Sequence, residues 1–103
     1  MARMLRDRFG RAVRLTQERE AHILRHPELQ GQIDKLEAVL QEPDVIVRSL
    51  RDPDVHLYHK HYGETPVTEK YLLVAVKVKE ADAFIITAFF TDTVKKGERI
   101  WGT

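Results

Sequence analysis

The chain has no cysteine, which excludes disulfide staples, thiolate zinc centres and cysteine nucleophiles. It has no apolar run approaching the ~20 residues that span a bilayer. Met1 to Arg14 also lacks the continuous apolar segment of a secretory leader, so the expectation is a cytoplasmic protein with no membrane contact. An excess of charge of one sign is missing too. Seventeen Lys and Arg stand against 16 Asp and Glu, a formal net charge of +1, and composition alone does not announce a nucleic-acid binder. There is no internal repeat and no low-complexity segment, and 103 residues fit a single domain, 1–103, with one modest core.

With 43% hydrophobic and 32% charged residues, the composition is that of a globular domain. The charges are unevenly placed. Arg3, Arg6, Arg8, Arg11 and Arg14 crowd the start against Asp7 alone, and residues 1–9 read either as part of a cationic side or as a basic arm without fixed order. Glu18, Glu20, Glu28, Asp34, Glu37, Glu42 and Asp44 follow, on segments with helical signals. Thr16 suits an N-cap with acidic residues in the first turn behind it, and Pro27 disfavours helical geometry at His26, which predicts a short helix with His22 near its end. From Pro27 to Gln41, Leu29, Ile33, Leu36 and Leu40 form one apolar stripe, predicting a second helix that Pro43 ends.

Short β-rich runs make up the rest. Gly10 to Thr16 suits a strand ahead of the helices, and Asp44 to Leu50, Val55 to Tyr62, Tyr71 to Lys79 and Ala83 to Thr91 follow them. Arg51-Asp52-Pro53-Asp54 has turn chemistry, Gly63-Glu64-Thr65-Pro66 marks a loop, and Lys95-Lys96-Gly97 a last turn before Ile100 and Trp101. The order predicts an α+β fold, two helices packed on one face of an antiparallel sheet of four to five strands. Leu72, Val74, Val76 and Val78 should meet the helices. The opposite face should gather Tyr58, Lys60, Lys77, Thr87 and Thr91 into a groove, with Arg48 or Arg51 entering from the neighbouring hairpin.

Five segments, taken in order, carry a resemblance: Thr16-x-Glu-Arg-x-x-His22-Ile-Leu-x-His26-Pro-Glu, Pro43-Asp44-Val-Ile, Arg51-Asp52-Pro53, Leu57-Tyr58-x-Lys60 and Thr87-Ala-Phe-Phe-Thr91. From about Arg11 to Trp101 the chain resembles the phage-associated nucleases grouped with barnase, EndoU, the colicin tRNases and RelE. The resemblance implies a metal-independent ribonuclease fold whose free sheet face receives RNA, in a toxin or phage effector.

Residue chemistry can be read beside it. Metal-free RNA cleavage, leaving a 2′,3′-cyclic phosphate and a 5′-hydroxyl, needs a base for the 2′-OH, an acid for the departing 5′-oxygen and cations for the phosphorane. His22 suits the acid or base, Tyr58 and Lys60 the placing of the scissile phosphate, and Arg51 the phosphorane. Arg48, Lys77, Thr87 and Thr91 suit contacts to phosphate or ribose. The expected partner is tRNA or mRNA, with an antitoxin or immunity protein as a further one. Each residue also has a plainer role: His22 as a helix end, Tyr58 as sheet packing, the lysines as a solvated face, the threonines as strand formers. A non-catalytic RNA- or protein-binding module and a structural or immunity protein are the competing readings. No metal or cofactor is expected. His22 and His26 have ligand spacing, but no Glu follows His22 directly, Pro27 turns His26 out of register, and His56 faces away from His59 and His61.

Overall fold

A computed structural model describes residues 2–63 and 71–102. Strands β1 (Arg3–Arg6) and β2 (Ala12–Leu15) form an antiparallel hairpin, and α1 (Gln17–Ile23) follows at once. After a 3₁₀ turn at Pro27–Leu29 comes α2 (Ile33–Gln41), then β3 (Val45–Ser49), β4 (Val55–His61), β5 (Tyr71–Lys79), β6 (Asp82–Thr91) and β7 (Gly97–Gly102). The strands make one seven-stranded sheet in the order β1-β2-β6-β5-β4-β3-β7. All neighbours are antiparallel except β2 and β6, which run parallel with Arg14 opposite Phe84. The α+β class is as expected, but the sheet exceeds the four to five strands anticipated.

The strand that sequence patterning overlooks is β1. It is four residues long and buries only Leu5, so alternation has nothing to register. Its order comes from tertiary partners. Arg3 pairs with Glu20 of α1 at 3.1 Å, and the Arg6 N–H donates to Glu37 of α2 at 3.1 Å. Residues 3–6 of the basic arm are thus a paired edge strand.

Helix α1 starts where expected, the Thr16 hydroxyl accepting from the Arg19 N–H at 3.1 Å. The second helix is shorter than the Pro27 to Gln41 span. His26 and Pro27 do open a helical turn, but Gln30 is extended and Gly31 has φ of +76°, so the chain breaks and restarts at Ile33. The apolar stripe survives this break. Leu29, Leu36 and Leu40 are buried together with Ile23 and Val39 against one sheet face, and Ile33 packs at the margin.

That face receives Leu72, Val74 and Val76, with Val78 beside them, as their alternation requires. The open face carries a smaller apolar cluster of Val55, Leu73 and Ala75, flanked by Leu57, Ile86 and Phe89. Two register facts settle which side chains join it. In β4, Tyr58 lies opposite Val74 and Lys60 opposite Leu72, so both belong to the helix face. In β6 the pairing moves from Val76–Ile85 to Ala75–Thr87, leaving Ile86 as the extra residue of a bulge. Ala83 and Ile85 therefore face the helices, whereas Thr87, Phe89 and Thr91 face away. The loop expected at Gly63-Glu64-Thr65-Pro66 lies, beyond Gly63, outside the described residues.

Candidate nucleic-acid interface

The β3–β4 turn at one margin of the open face and the β6–β7 connection that crosses it convert its apolar cluster into a groove. Asp52 shapes the first, accepting the Asp54 N–H at 3.0 Å while the Asp52 carbonyl takes the Val55 N–H. The second runs from the end of β6 to the start of β7 across the three intervening strands β5, β4 and β3. Between them lies a groove of about 620 Å³. Its floor is Val55, Leu57, Leu73, Ala75, Ile86 and Phe89; Arg51, Lys95 and Lys96 supply charge, and Ser49 and Thr87 supply hydroxyls. The Lys95 ammonium sits 5.7 Å from the centre of the Phe89 ring. Among the described residues no carboxylate lines the groove, in a chain with nearly as many acids as bases.

Of the residues expected to converge, Arg51 and Thr87 do so here. Lys77 and Thr91 occupy the open face outside the lining. The Lys77 ammonium is on the Asp52 carboxylate at 2.6 Å, an ion pair that pushes the lysine up and the aspartate down from their ordinary pKa values. Thr91 is buried, its hydroxyl donating to the Thr93 carbonyl at 3.2 Å.

The others are elsewhere. Tyr58 is fully buried on the helix face, and its hydroxyl donates to Asp7 at 2.7 Å. Burial, then the Asp7 carboxylate, hold the phenol far above its usual pKa, which removes it from proton transfer. The Lys60 ammonium donates to the Glu42 carbonyl at 3.0 Å, capping the end of α2 where a cation is favoured. Arg48 shares the Tyr58 face, on Glu98 at 2.9 Å and the Pro53 carbonyl at 3.3 Å. His22 stands exposed on α1, and none of the other candidates is bonded to it.

No protein-family model, curated protein or solved structure matches the chain.

Sequence reasoning missed Lys95, Lys96 and Phe89. The lysines read as turn residues because their strand-to-strand connection gives no sign that it crosses a sheet face. Phe89 shares its face of β6 with Thr87 and Thr91, but an aromatic residue in a strand reads as sheet packing until the groove above it is seen. A further polar group gathers on the helix face, where Asp7, Tyr58, Arg11 and His56 meet at the tip of the first hairpin. Asp7 is buried and accepts from the Phe9 and Arg11 N–H groups at 2.9 and 2.8 Å. Burial lowers the pKa of the half-buried His56, and the charges of Arg11 and Arg48 lower it further against the opposing Asp54 and Asp7.

Proposed function

We propose that this protein is a metal-independent RNA endonuclease of the toxin or phage-effector kind, and that the open-face groove holds its substrate. The observation that carries this reading is an apolar floor with an aromatic ring, rimmed by Arg51, Lys95 and Lys96 and, among the described residues, free of carboxylates. Bases stack on apolar and aromatic surfaces while cations take the phosphates, and stacking is worth about 1–3 kcal/mol per base. In-line attack by the 2′-OH, whose proton passes to solvent, builds charge on the phosphorane, which Arg51 and the two lysines offset; an ammonium group supplies the proton for the departing 5′-oxygen and regains one from solvent. The ordered resemblance to the barnase, EndoU, colicin and RelE group supports the chemistry. With it go tRNA or mRNA as substrate, an antitoxin or immunity protein as partner, and a cytoplasmic setting. No helix among the described residues is long and apolar enough to cross a membrane.

One observation favours a second reading, a non-catalytic RNA-binding module on the same face. Among the described residues the groove lining contains neither imidazole nor carboxylate, so none of them is an ordinary base for the 2′-OH. Incubation with total RNA in EDTA separates the two. Cyclic-phosphate ends that disappear in the Arg51→Ala, Lys95→Ala, Lys96→Ala triple variant support the nuclease. Intact RNA with salt-dependent binding supports the module, each lost phosphate contact then lowering the slope of log K against log salt by about 0.7. RNA neither cut nor bound refutes both.

A further inference from the structure

The connection that carries Lys95 and Lys96 is tied down by two side chains, His59 and Thr91. Residues 92–96 cross the open face, and at its middle the Lys95 backbone N–H donates to Nε2 of His59 at 3.1 Å. His59 is fully buried, and its Nδ1 is 3.0 Å from the Leu57 carbonyl. An N–H pointing at Nε2 requires a lone pair there, so the proton of this imidazole sits on Nδ1 and is donated to Leu57. Beyond this contact, the Lys95 side chain reaches into the groove over Phe89. At the β6 end a second tie, from the Thr91 hydroxyl to the Thr93 carbonyl, fixes where the crossing begins.

We infer that His59 is the positioning residue of the groove: by accepting the Lys95 N–H it holds the 92–96 strap, and hence the cationic rim, in place for RNA. This rests on the reading of the groove as an RNA site. The lock works only with the neutral imidazole, because a proton on Nε2 sets two donors face to face and breaks the strap's central tie.

The surroundings of His59 resist that proton at neutral pH. Burial lowers its pKa first of all, the Leu57 and Val45 carbonyls oppose this, and the Lys95 charge adds to the lowering. From β5 the Tyr71 ring meets it edge-on at 6.4 Å between centres, and His61, next on the same face of β4, stacks edge-on against the same ring at 5.2 Å. Just ahead of β3, the Asp44 carboxylate accepts the His61 N–H at 2.6 Å, and the Asp44 N–H donates to the His59 carbonyl at 2.8 Å.

Two readouts test this across pH 5 to 8, with folding followed by circular dichroism: anisotropy of a labelled single-stranded RNA oligonucleotide in EDTA, and hydrogen exchange of the Lys95 amide. In the wild type, affinity and Lys95 protection should fall together on acidification, binding weakening about three- to tenfold as exposed ionic contacts are lost. His59→Gln keeps an acceptor that does not titrate and should flatten both profiles; His59→Leu should leave the Lys95 amide unprotected and binding weak at every pH. An equal fall of affinity in His59→Gln, or an unprotected Lys95 amide in the wild type at pH 8, overturns the inference. If the variants do not fold, the wild-type profiles alone decide, since affinity and protection must then move at the same pH. A strap that unlocks with pH beside RNA that never binds overturns the groove's assignment instead, leaving His59 nothing to position.

Discussion

Replacing Tyr58 by Phe distinguishes a structural hydroxyl from a chemical one. The hydroxyl joins β4 to the turn of the first hairpin, 51 residues away, through a 2.7 Å bond to the Asp7 carboxylate. Both residues are buried, and without the hydroxyl Oδ2 keeps, among the described residues, the Arg11 guanidinium at 3.7 Å. Oδ1 retains the Phe9 and Arg11 N–H groups, so one hydrogen bond to a charged acceptor is lost, a cost of about 1.5–3 kcal/mol. Unfolding entropy of about 2.1 cal/mol/K per residue over 103 residues converts that to a fall in Tm of about 7–14 °C. Thermal melts by circular dichroism measure it, and a double-mutant cycle with Asp7→Asn isolates the pair, because removing the carboxylate should cost less once the hydroxyl is gone. Cleavage or binding of RNA below the melt should be unaffected. An unchanged Tm accompanied by lost cleavage would refute the reasoning and return Tyr58 to the chemistry.

Gly97 begins β7 at φ of +154°, and a Cβ there would run into the Arg48 carbonyl oxygen and the Val47 side chain. Gly97→Ala should destabilise the fold and expose β3 to hydrogen exchange; full protection of β3 would contradict this. His56 and His59 both have lowered pKa values in the folded state, so as pH falls below about 6.5 the unfolded chain takes up protons first and stability declines towards the folded values. Urea midpoints should thus be lower at pH 5.5 than at pH 7.5, with a smaller difference in His59→Gln; a midpoint that rises on acidification would reverse the sign of the argument. His22→Ala, at an exposed position of α1, should shift stability by no more than about 0.5 kcal/mol and leave RNA cleavage intact. Abolished cleavage in a stable variant would move the reaction from the groove to α1.

The class of the fold and the side of β5 that meets the helices were legible because both rest on local periodicity. Leu29, Ile33, Leu36 and Leu40 announce a stripe, and Leu72 to Val78 alternate cleanly. The candidate site was legible only in Arg51 and Thr87, because the rest depends on relations between strands. Tyr58 and Lys60 alternate correctly within β4, but their side of the sheet is set by pairing with Val74 and Leu72, which no single strand encodes. Along β6, strict alternation puts Ile85 and Thr87 on one face, and the bulge at Ile86 separates them. Lys77 illustrates another limit: its place on the open face was correct, but Asp52 is close to it only because a turn folds back.

The Arg8 guanidinium lies 3.9 Å from the centre of the Trp101 ring, so the first hairpin closes against the last strand. Early parts of this sheet have late partners: β2 waits for β6, and Arg8 for β7. A chain growing from its N-terminus therefore cannot complete this sheet in order of synthesis, and a nascent chain still lacking β7 leaves the edge of β3 open and the Arg8 stack unmade. Contacts so distant in sequence slow folding, because loop closure must come before they form. The strap follows every floor residue of the groove in chain order, so Lys95 and Lys96 join the groove only after Val55 to Phe89 have been made, and the cationic rim is added to a floor that already exists.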